Sequence, residues 1–307
     1  MVDMYSLLTM QGKMFLMMIV GFVLAKWKLV SEEGRQSLTN LLVNLILPCN
    51  ILYAFSNSDL SNFGSLLEIA LMATGLQLLW FFLSRFLWRM QPESRRGVLR
   101  YAFQFSNAGY LGNPVVEGLY GSEGLICASV YLLPVRIFMW GLGLECFHDG
   151  GSFRKVFRRT VTHPCVITTA VGVLWMLFPV EIPEFLYDTI YGFSQCLTPV
   201  TMLVIGCIMA NADYHELFSK ELIEITLLRL LVQPLVALAL CYLLHPDQLV
   251  AEVTTVLVAM PVANTTAILA ARYDRDASFA GNVVVFTTLL SMLTIPLFGM
   301  LAGVAFG

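Results

Sequence analysis

Residues 105–114 read FSNAGYLGNP, and residues 260–266 read MPVANTT. Both stretches carry Asn and Pro, and both interrupt sequence that is largely apolar on either side. A helix that stops inside a bilayer leaves backbone groups without partners, which hydrocarbon tolerates only where protein or a water-filled cavity meets them. A pair of such interruptions, in corresponding positions of two halves, indicates the binding site of a secondary transporter.

The composition is that of a membrane protein, with 58% hydrophobic and 13% charged residues in a chain of 307. Soluble domains carry about 25% charged residues. Crossing about 30 Å of hydrocarbon takes about 20 mostly apolar residues, and ten segments meet that requirement. They are 5–26, 37–56, 63–88, 98–119, 124–147, 161–179, 186–210, 221–244, 250–271 and 277–305. The sequence therefore predicts an all-α integral membrane protein with ten transmembrane helices.

The basic residues predict the orientation of these helices. Outside the spans they all fall in every second loop, around residues 26–35, 85–100, 154–159, 220 and 272–275. The intervening loops carry only acidic charges, such as Glu123 and Asp247. Because Lys and Arg are retained on the cytoplasmic side, both termini are predicted to lie outside the cytoplasm of a multi-pass protein in the cell membrane.

Ten spans divide into two halves, 1–150 and 151–307, with five helices each. An odd number of helices means that the second half enters the membrane from the opposite side, so the repeat is predicted to be inverted. Two weak internal matches share one offset. Pro48 and Pro199 are 151 residues apart, and so are Asn113 and Asn264.

The chemistry of the interruptions favours an anion. Asn113 before Pro114 predicts a helix N-cap followed by a first-turn proline, and Asn264, shortly after Pro261, predicts a second cap. Both restarted helices would aim amide donors and about half a positive charge at the membrane centre. The alternative is that these residues only kink two helices for packing.

Three further residues of the first interruption belong to the predicted binding site. Gly109 and Gly112 would let the unwound backbone approach a ligand closely. Asn107 supplies a third asparagine at the level of the two interruptions.

Arg136 lies twelve residues into the fifth span, roughly 18 Å deep at 1.5 Å per residue. A lone charge at that depth costs about 2.5–3.5 kcal/mol, and no acid lies at matching depth, since Glu117 is near the outer end of its span. Two partners for Arg136 remain open: a substrate carboxylate, or the free carbonyls that end a broken helix. Arg229 and Lys13 are instead predicted to snorkel toward the cytoplasmic and the outer face.

Other polar residues within the spans have two interpretations. Asn50, Gln77, Gln195 and Thr265 could coordinate sodium or take part in a proton site, or each could make a hydrogen bond between helices. The four histidines are isolated and the seven cysteines lack close pairs, so no metal centre and no cofactor are predicted. The chain shows no nucleophile motif and no cluster of acids at depth, so it is not predicted to be an enzyme.

Three motifs resemble the auxin efflux carrier family, which includes plant auxin exporters and bacterial carriers assigned to malonate or malate. They are Leu47-Pro48 with Asn50, the stretch 105–114, and Pro261 through Ala270 followed by Tyr273-Asp274. The resemblance covers essentially the whole chain. It implies two inverted five-helix repeats in which broken helices 4 and 9 cross, similar to bile acid sodium symporters.

The same resemblance implies interleaved scaffold and crossover domains, an elevator-like movement between them, and a homodimer. It also implies that Asn107, Asn113, Pro114, Pro261 and Asn264 frame the substrate site. Two features depart from the plant members. The loop between spans five and six is short, and Gln77 is the nearest polar residue where they carry an acid in the third span, so proton coupling through that position is not expected.

The sequence as a whole predicts a secondary transporter that moves a small organic anion, a mono- or dicarboxylate similar to auxin or malonate, by alternating access. Its predicted partners are that anion, membrane lipids and a coupling ion, either a proton or sodium; no nucleic acid is expected. One alternative is a sodium-coupled symporter of a bulkier organic anion. A non-transporting membrane receptor is a second alternative, but it leaves the paired interruptions unexplained.

Overall fold

A computed structural model of the chain describes residues 4–56, 63–147, 158, 161–178, 180, 182–210 and 219–307. These residues form helices, and they contain no β-strand longer than one isolated bridge. The α-helices are α1 Met4–Lys26, α2 Glu32–Leu41, α3 Leu47–Ser56, α4 Phe63–Phe86, α5 Glu93–Gln104, α6 Asn113–Trp140, α7 Pro164–Leu177, α8 Glu184–Ser194, α9 Leu197–Ala210, α10 Lys220–Leu227, α11 Gln233–Leu244, α12 Gln248–Val258, α13 Thr265–Arg272 and α14 Ala277–Phe306.

Three π-helical turns join or precede these helices, and a proline follows each turn after one residue. They are Leu42–Ile46 before Pro48, Ala108–Gly112 before Pro114 and Leu228–Val232 before Pro234. A proline inside an α-helix lacks an N–H donor, and its ring clashes with the carbonyl four residues back. The wider π turn carries the helix past this clash, so these three prolines do not end their helices.

The described residues contain helices suited to crossing a membrane. Six helical segments are long and apolar enough to cross a bilayer: Glu32–Ser56, Gly64–Phe86, Ala108–Met139, Glu184–Ala210, Lys220–Leu244 and Ala277–Phe306. Their outward faces carry exposed leucines, such as Leu71 and Leu293, as expected where lipid replaces water. Gly121 (φ 64, ψ −155) interrupts the third segment, between the predicted spans four and five. The predicted count of ten spans stays a prediction, and the predicted division at 150/151 lies outside the described residues.

The helices pack in two sets. The first set contains α1, α2, α3, α7, α8 and α9, with α1 lying along α9 and α3 against α7 and α8. The second set contains α4, α5, α6 and α10 to α14, with α6 against α4 and α12, and α14 against α12 and α13.

Glycines permit the close contact between α1 and α9 in the first set. A Cβ built on Gly206 of α9 would lie 2.1 Å from the Met18 carbonyl oxygen of α1. One built on Gly21 of α1 would lie 2.4 Å from the Leu203 carbonyl oxygen of α9. Small residues that let two backbones approach are a usual basis of helix association in membranes.

Within the second set, the two interrupted segments pair with each other through their backbones. Ser106 and Val262 form an antiparallel bridge. The Asn107 N–H donates to the Pro261 carbonyl at 2.7 Å, and the Ala263 N–H donates to the Phe105 carbonyl at 3.1 Å. Both interruptions therefore meet at one place, where each supplies hydrogen-bond partners to the other.

Candidate functional site

The first interruption separates α5 from the helix that leads into α6. Phe105 is extended (φ −122, ψ 125), and the helix restarts at Ala108 with Asn107 in the N-cap position. Asn113 has helical angles (φ −56, ψ −52), and the Leu111 N–H already donates to the Asn107 carbonyl at 2.9 Å. The prediction that Asn113 caps the restarted helix was therefore wrong. The π turn before Pro114 lets the helix start six residues earlier than the Asn-Pro pair suggests.

The second interruption lies between α12, which ends at Val258, and α13, which begins at Thr265. Asn264 occupies the N-cap position, as predicted. Its side chain makes no capping hydrogen bond, because its backbone is helical (φ −57, ψ −28) rather than extended. The Thr265 hydroxyl is bonded to the Tyr101 hydroxyl at 3.2 Å, which is a hydrogen bond between α13 and α5.

The carbonyls left free at the end of α5 are bound by side chains. Gln77 donates to the Gln104 carbonyl at 3.1 Å, and Gln233 donates to the Phe103 carbonyl at 2.7 Å. Gln77 therefore makes the interhelical hydrogen bond that was the alternative to an ion site. It does not line either of the cavities described below.

Arg229 binds carbonyls of both interrupted segments. Its Nε donates to Met260 at 3.1 Å, its Nη2 to Val258 at 3.3 Å and its Nη1 to Phe103 at 3.2 Å. Only 2% of Arg229 is exposed, so the prediction that it snorkels toward the cytoplasm was wrong. Each free carbonyl is the negative end of a helix dipole, and a guanidinium with five donors can satisfy several at once.

A cavity of about 80 Å³ lies where the two restarted helices begin. Asn107, Gly109 and Tyr110 line it from the first interruption, and Ala263, Asn264 and Thr265 line it from the second. The remaining lining comes from Ser106, from Arg136 and its neighbours Leu132, Val135 and Met139, and from Val43, Leu47, His163 and Cys165. The cavity thus lies between the two sets of helices, with the amino ends of both restarted helices at its wall.

Arg136 lies in the wall of this cavity at the level of both interruptions, as its depth in the sequence predicted. It is 7% exposed, and its Nη2 lies 3.7 Å from the Cβ position of Gly109. Its buried Nη1 has no hydrogen-bond partner among the described residues. Of the two partners left open by the sequence, the broken-helix carbonyls are bound by Arg229 instead.

Two more buried polar atoms near Arg136 lack partners in the described part of the chain: Nδ2 of Asn107 and Nδ1 of His163. An unpaired buried polar group costs about 1–3 kcal/mol, so several around one cavity indicate a polar ligand. Arg136 Nη1 and Asn107 Nδ2 can only donate, and donors bind an anion. Sequence reasoning missed His163 because it is isolated in the chain and approaches Arg136 only in three dimensions.

The other predicted site residues lie outside this cavity. A Cβ on Gly112 would lie 2.8 Å from Leu257, so Gly112 serves close packing of the two interrupted segments. Asn113 is fully buried, and neither its Oδ1 nor its Nδ2 has a partner among the described residues. Pro261 contributes its carbonyl to the backbone pairing, whereas Pro114 lines a second cavity.

This second cavity, of about 330 Å³, lies between α1, α6 and the junction of α8 with α9. Lys13, Glu117 and Gln195 are among its lining residues. Asn50 Nδ2 donates to both carboxylate oxygens of Glu117, at 3.1 and 3.2 Å. Of the three residues predicted as an ion or proton site, Asn50 contacts Glu117 and Gln195 lines the same cavity as Glu117, which the sequence had placed only near the end of a span.

Comparison with known proteins gives a family match over nearly the whole chain. A family model described as membrane transport protein matches residues 11–152 and 151–299. An uncharacterized transporter from Methanothermobacter thermautotrophicus is 28% identical over 92% of this chain and 94% of its own length. An uncharacterized transporter from Methanocaldococcus jannaschii is 24% identical over 92% of this chain and 95% of its own length. The uncharacterized transporter YfdV of Escherichia coli K12 is 19% identical over 91% of this chain and 92% of its own length.

Proposed function

Because this chain belongs to the membrane transport protein family, that of the auxin efflux carriers, we propose that it moves a small carboxylate anion across the membrane by alternating access. The family and the names of the relatives indicate a membrane transporter. The chemistry of the cavity between the interruptions supports the choice of substrate.

The observation that carries the proposal is the set of unpaired donors around Arg136. One guanidinium, one asparagine amide and the amino ends of two helices line a single cavity of about 80 Å³. A carboxylate would accept hydrogen bonds from the guanidinium and the amide, and both helix dipoles would favour its charge. About 10–15 Å³ of such a cavity holds one water molecule, so about 80 Å³ has room for a small mono- or dicarboxylate.

The position of the cavity supports movement of one set of helices against the other. Val43 and His163 approach it from the first set, and Arg136 and Asn264 approach it from the second. A ligand bound between two such sets would be exposed to one side of the membrane or the other as they slide. Crossing helices 4 and 9, inverted repeats, the elevator-like motion and a homodimer are parts of this proposal.

The test uses purified protein and malonate as the probe. We expect Arg136→Gln to weaken malonate binding about ten- to a hundred-fold, since a charge-assisted hydrogen bond contributes about 1.5–3 kcal/mol. Arg136→Lys should restore only part of the affinity because the bidentate fork is lost. The matched control is Arg275→Gln, which removes a guanidinium that pairs with Glu93 and does not line the cavity.

Affinity and melting temperature are measured on the same preparations. Unchanged malonate affinity with a lower melting temperature in Arg136→Gln would refute the substrate role of Arg136. Repeating the binding assay with and without sodium separates the proposal from a sodium-coupled symporter of a bulkier anion. Binding of bulkier carboxylates only in the presence of sodium would favour that alternative.

A further inference from the structure

The hydrogen bond between Asn50 and Glu117 joins the two sets of helices. Asn50 lies on α3 of the first set and Glu117 lies on α6 of the second. Asn50 is fully buried, and its Nδ2 contacts both oxygens of the carboxylate. A movement of one set against the other must therefore break or change this contact.

The amide of Asn50 can bind either protonation state of Glu117. An ionised carboxylate only accepts hydrogen bonds, and Nδ2 donates to it in the observed geometry. A protonated carboxyl group gains one O–H donor, and Asn50 Oδ1 is buried without a partner among the described residues. Rotation of the amide would bring this free acceptor to the new donor.

The surroundings favour a proton over a metal cation at Glu117. The observed Asn50 contact presents amide hydrogens to the carboxylate, whereas a metal ion requires oxygen atoms. A proton needs only the carboxylate and water, and a cavity of about 330 Å³ is large enough to admit water.

We propose that Glu117 is a proton-binding site whose protonation is coupled to the movement of α6 against α3. The proton comes from a hydronium ion in the water of the second cavity: one of its O–H bonds breaks, an O–H bond forms on the carboxylate, and a neutral water molecule is left. Loss of the charge replaces the two charge-assisted hydrogen bonds from Asn50 with a weaker neutral one, which loosens the contact between the two sets of helices.

This inference rests on the transport function proposed above, because it couples the proton to the carboxylate anion. The first cavity, of about 80 Å³, is called the anion cavity here, and Gly109 lies in its wall. Gly109 precedes Glu117 by eight residues of continuous helix, about 12 Å at 1.5 Å per residue. The anion in the first cavity and the proton in the second cavity therefore both bind to one helical segment. Transport of the anion with a proton would follow from this arrangement.

Other charged and titratable groups near Glu117 come from several helices. Lys13 of α1 lines the same cavity, and Tyr53 of α3 interacts electrostatically with Glu117. Glu252 of α12 interacts with Tyr120, one turn beyond Glu117 on α6. The junction of α8 and α9 contributes only neutral groups to the cavity lining, which are Ser194, Gln195 and Thr198.

The first experiment detects the proton directly, without a substrate. Infrared difference spectra of the purified protein between high and low pH should contain the carbonyl band of a protonated carboxylic acid, and Glu117→Gln should remove it. Asn50→Leu should move the midpoint of this band to higher pH, because the donors that favour the charged form are lost. The matched control is Glu252→Gln, since Glu252 is also buried but pairs with Gln248 of its own helix at 2.9 Å.

The second experiment measures malonate transport in proteoliposomes with the membrane potential clamped at zero. A pH gradient should drive malonate accumulation in the parent protein, by at most about tenfold per pH unit for one proton. Glu117→Gln should exchange malonate but accumulate none, and Glu252→Gln should accumulate it normally.

Three results would overturn the proton assignment. They are an infrared band unchanged by Glu117→Gln, a midpoint displaced by sodium at constant ionic strength, and accumulation that survives in Glu117→Gln. The infrared result does not depend on malonate. If the parent protein carries no malonate but the Glu117 band titrates, the proposed substrate fails while the proton site stands.

Discussion

Arg229→Met removes the guanidinium that joins the two interrupted segments. Three backbone carbonyls accept hydrogen bonds from Arg229. Among the described residues, only the Phe103 carbonyl has a second donor, Gln233 at 2.7 Å. Val258 and Met260 would then be left as buried acceptors beside an apolar side chain. Methionine fills similar space, so the loss is mainly one of hydrogen bonds.

Leaving a buried acceptor unsatisfied costs about 1–3 kcal/mol, so two acceptors give a loss of about 2–6 kcal/mol. Using about 2–4 °C per kcal/mol for a domain of 150–250 residues, we expect a fall of about 4–24 °C in melting temperature. Arg229→Lys retains the charge but lacks the planar fork that reaches three carbonyls, so it should fall between the parent protein and Arg229→Met.

The assay is thermal unfolding of detergent-purified protein, followed by malonate affinity of the fraction that remains folded. We expect Arg229→Met to lose stability and retain affinity, and Arg136→Gln to show the reverse pattern. The reasoning is refuted if Arg229→Met melts like the parent protein, or if it loses malonate binding at unchanged stability. Either result would mean that the carbonyls obtain other donors or that Arg229 acts on the ligand.

Other predictions concern packing, the predicted caps and orientation. Gly206→Ala should separate α1 from α9 and lower the melting temperature markedly. The control Gly192→Ala should have little effect, because no atom lies within 4 Å of the new Cβ. Equal melting temperatures of the two variants would contradict this prediction. Gln77→Leu should cost about 1–3 kcal/mol in thermal stability, since the Gln104 carbonyl loses its donor, and unchanged unfolding would show another partner. Asn264→Ala should weaken malonate binding more than Asn113→Ala, because only Asn264 lines the anion cavity; the opposite order would place the ligand elsewhere. A reporter that is active only outside the cytoplasm should function at the C terminus, and activity of a cytoplasmic reporter there would overturn the span count.

The sequence predicted the location of the interruptions better than their internal geometry. Pro261 and Asn264 placed the second restart correctly, because no π turn intervenes before α13. The first restart was predicted at Asn113 instead of Asn107, since an Asn-Pro pair occurs both at a helix start and after a π turn. Local sequence does not distinguish these cases. The segment that pairs with the first interruption, and that binds the Asn107 N–H, is about 150 residues away in the chain.

Within the candidate site, the position of a residue along its span predicted its depth in the membrane. It did not predict which groups the side chain contacts. Arg136 and Arg229 both lie inside predicted spans, and counting residues located Arg136 at the level of the interruptions. The same counting wrongly suggested that Arg229 snorkels. The carbonyls that bind it belong to segments 29 to 126 residues away, and the sequence around Arg229 gives no sign of them. Glu117 was placed near a span end for a similar reason. Its partner Asn50 is 67 residues distant and lies on another helix.

The backbone part of the pairing between the two interruptions consists of the hydrogen bonds from Asn107 to Pro261 and from Ala263 to Phe105. It therefore does not depend on which side chains these residues carry, apart from the conformations they permit. The geometry of the two helix ends and the choice of ligand are encoded separately. Side chains such as Tyr110 and His163, which line the cavity but take no part in the pairing, can change during evolution and alter selectivity while the crossing point stays intact.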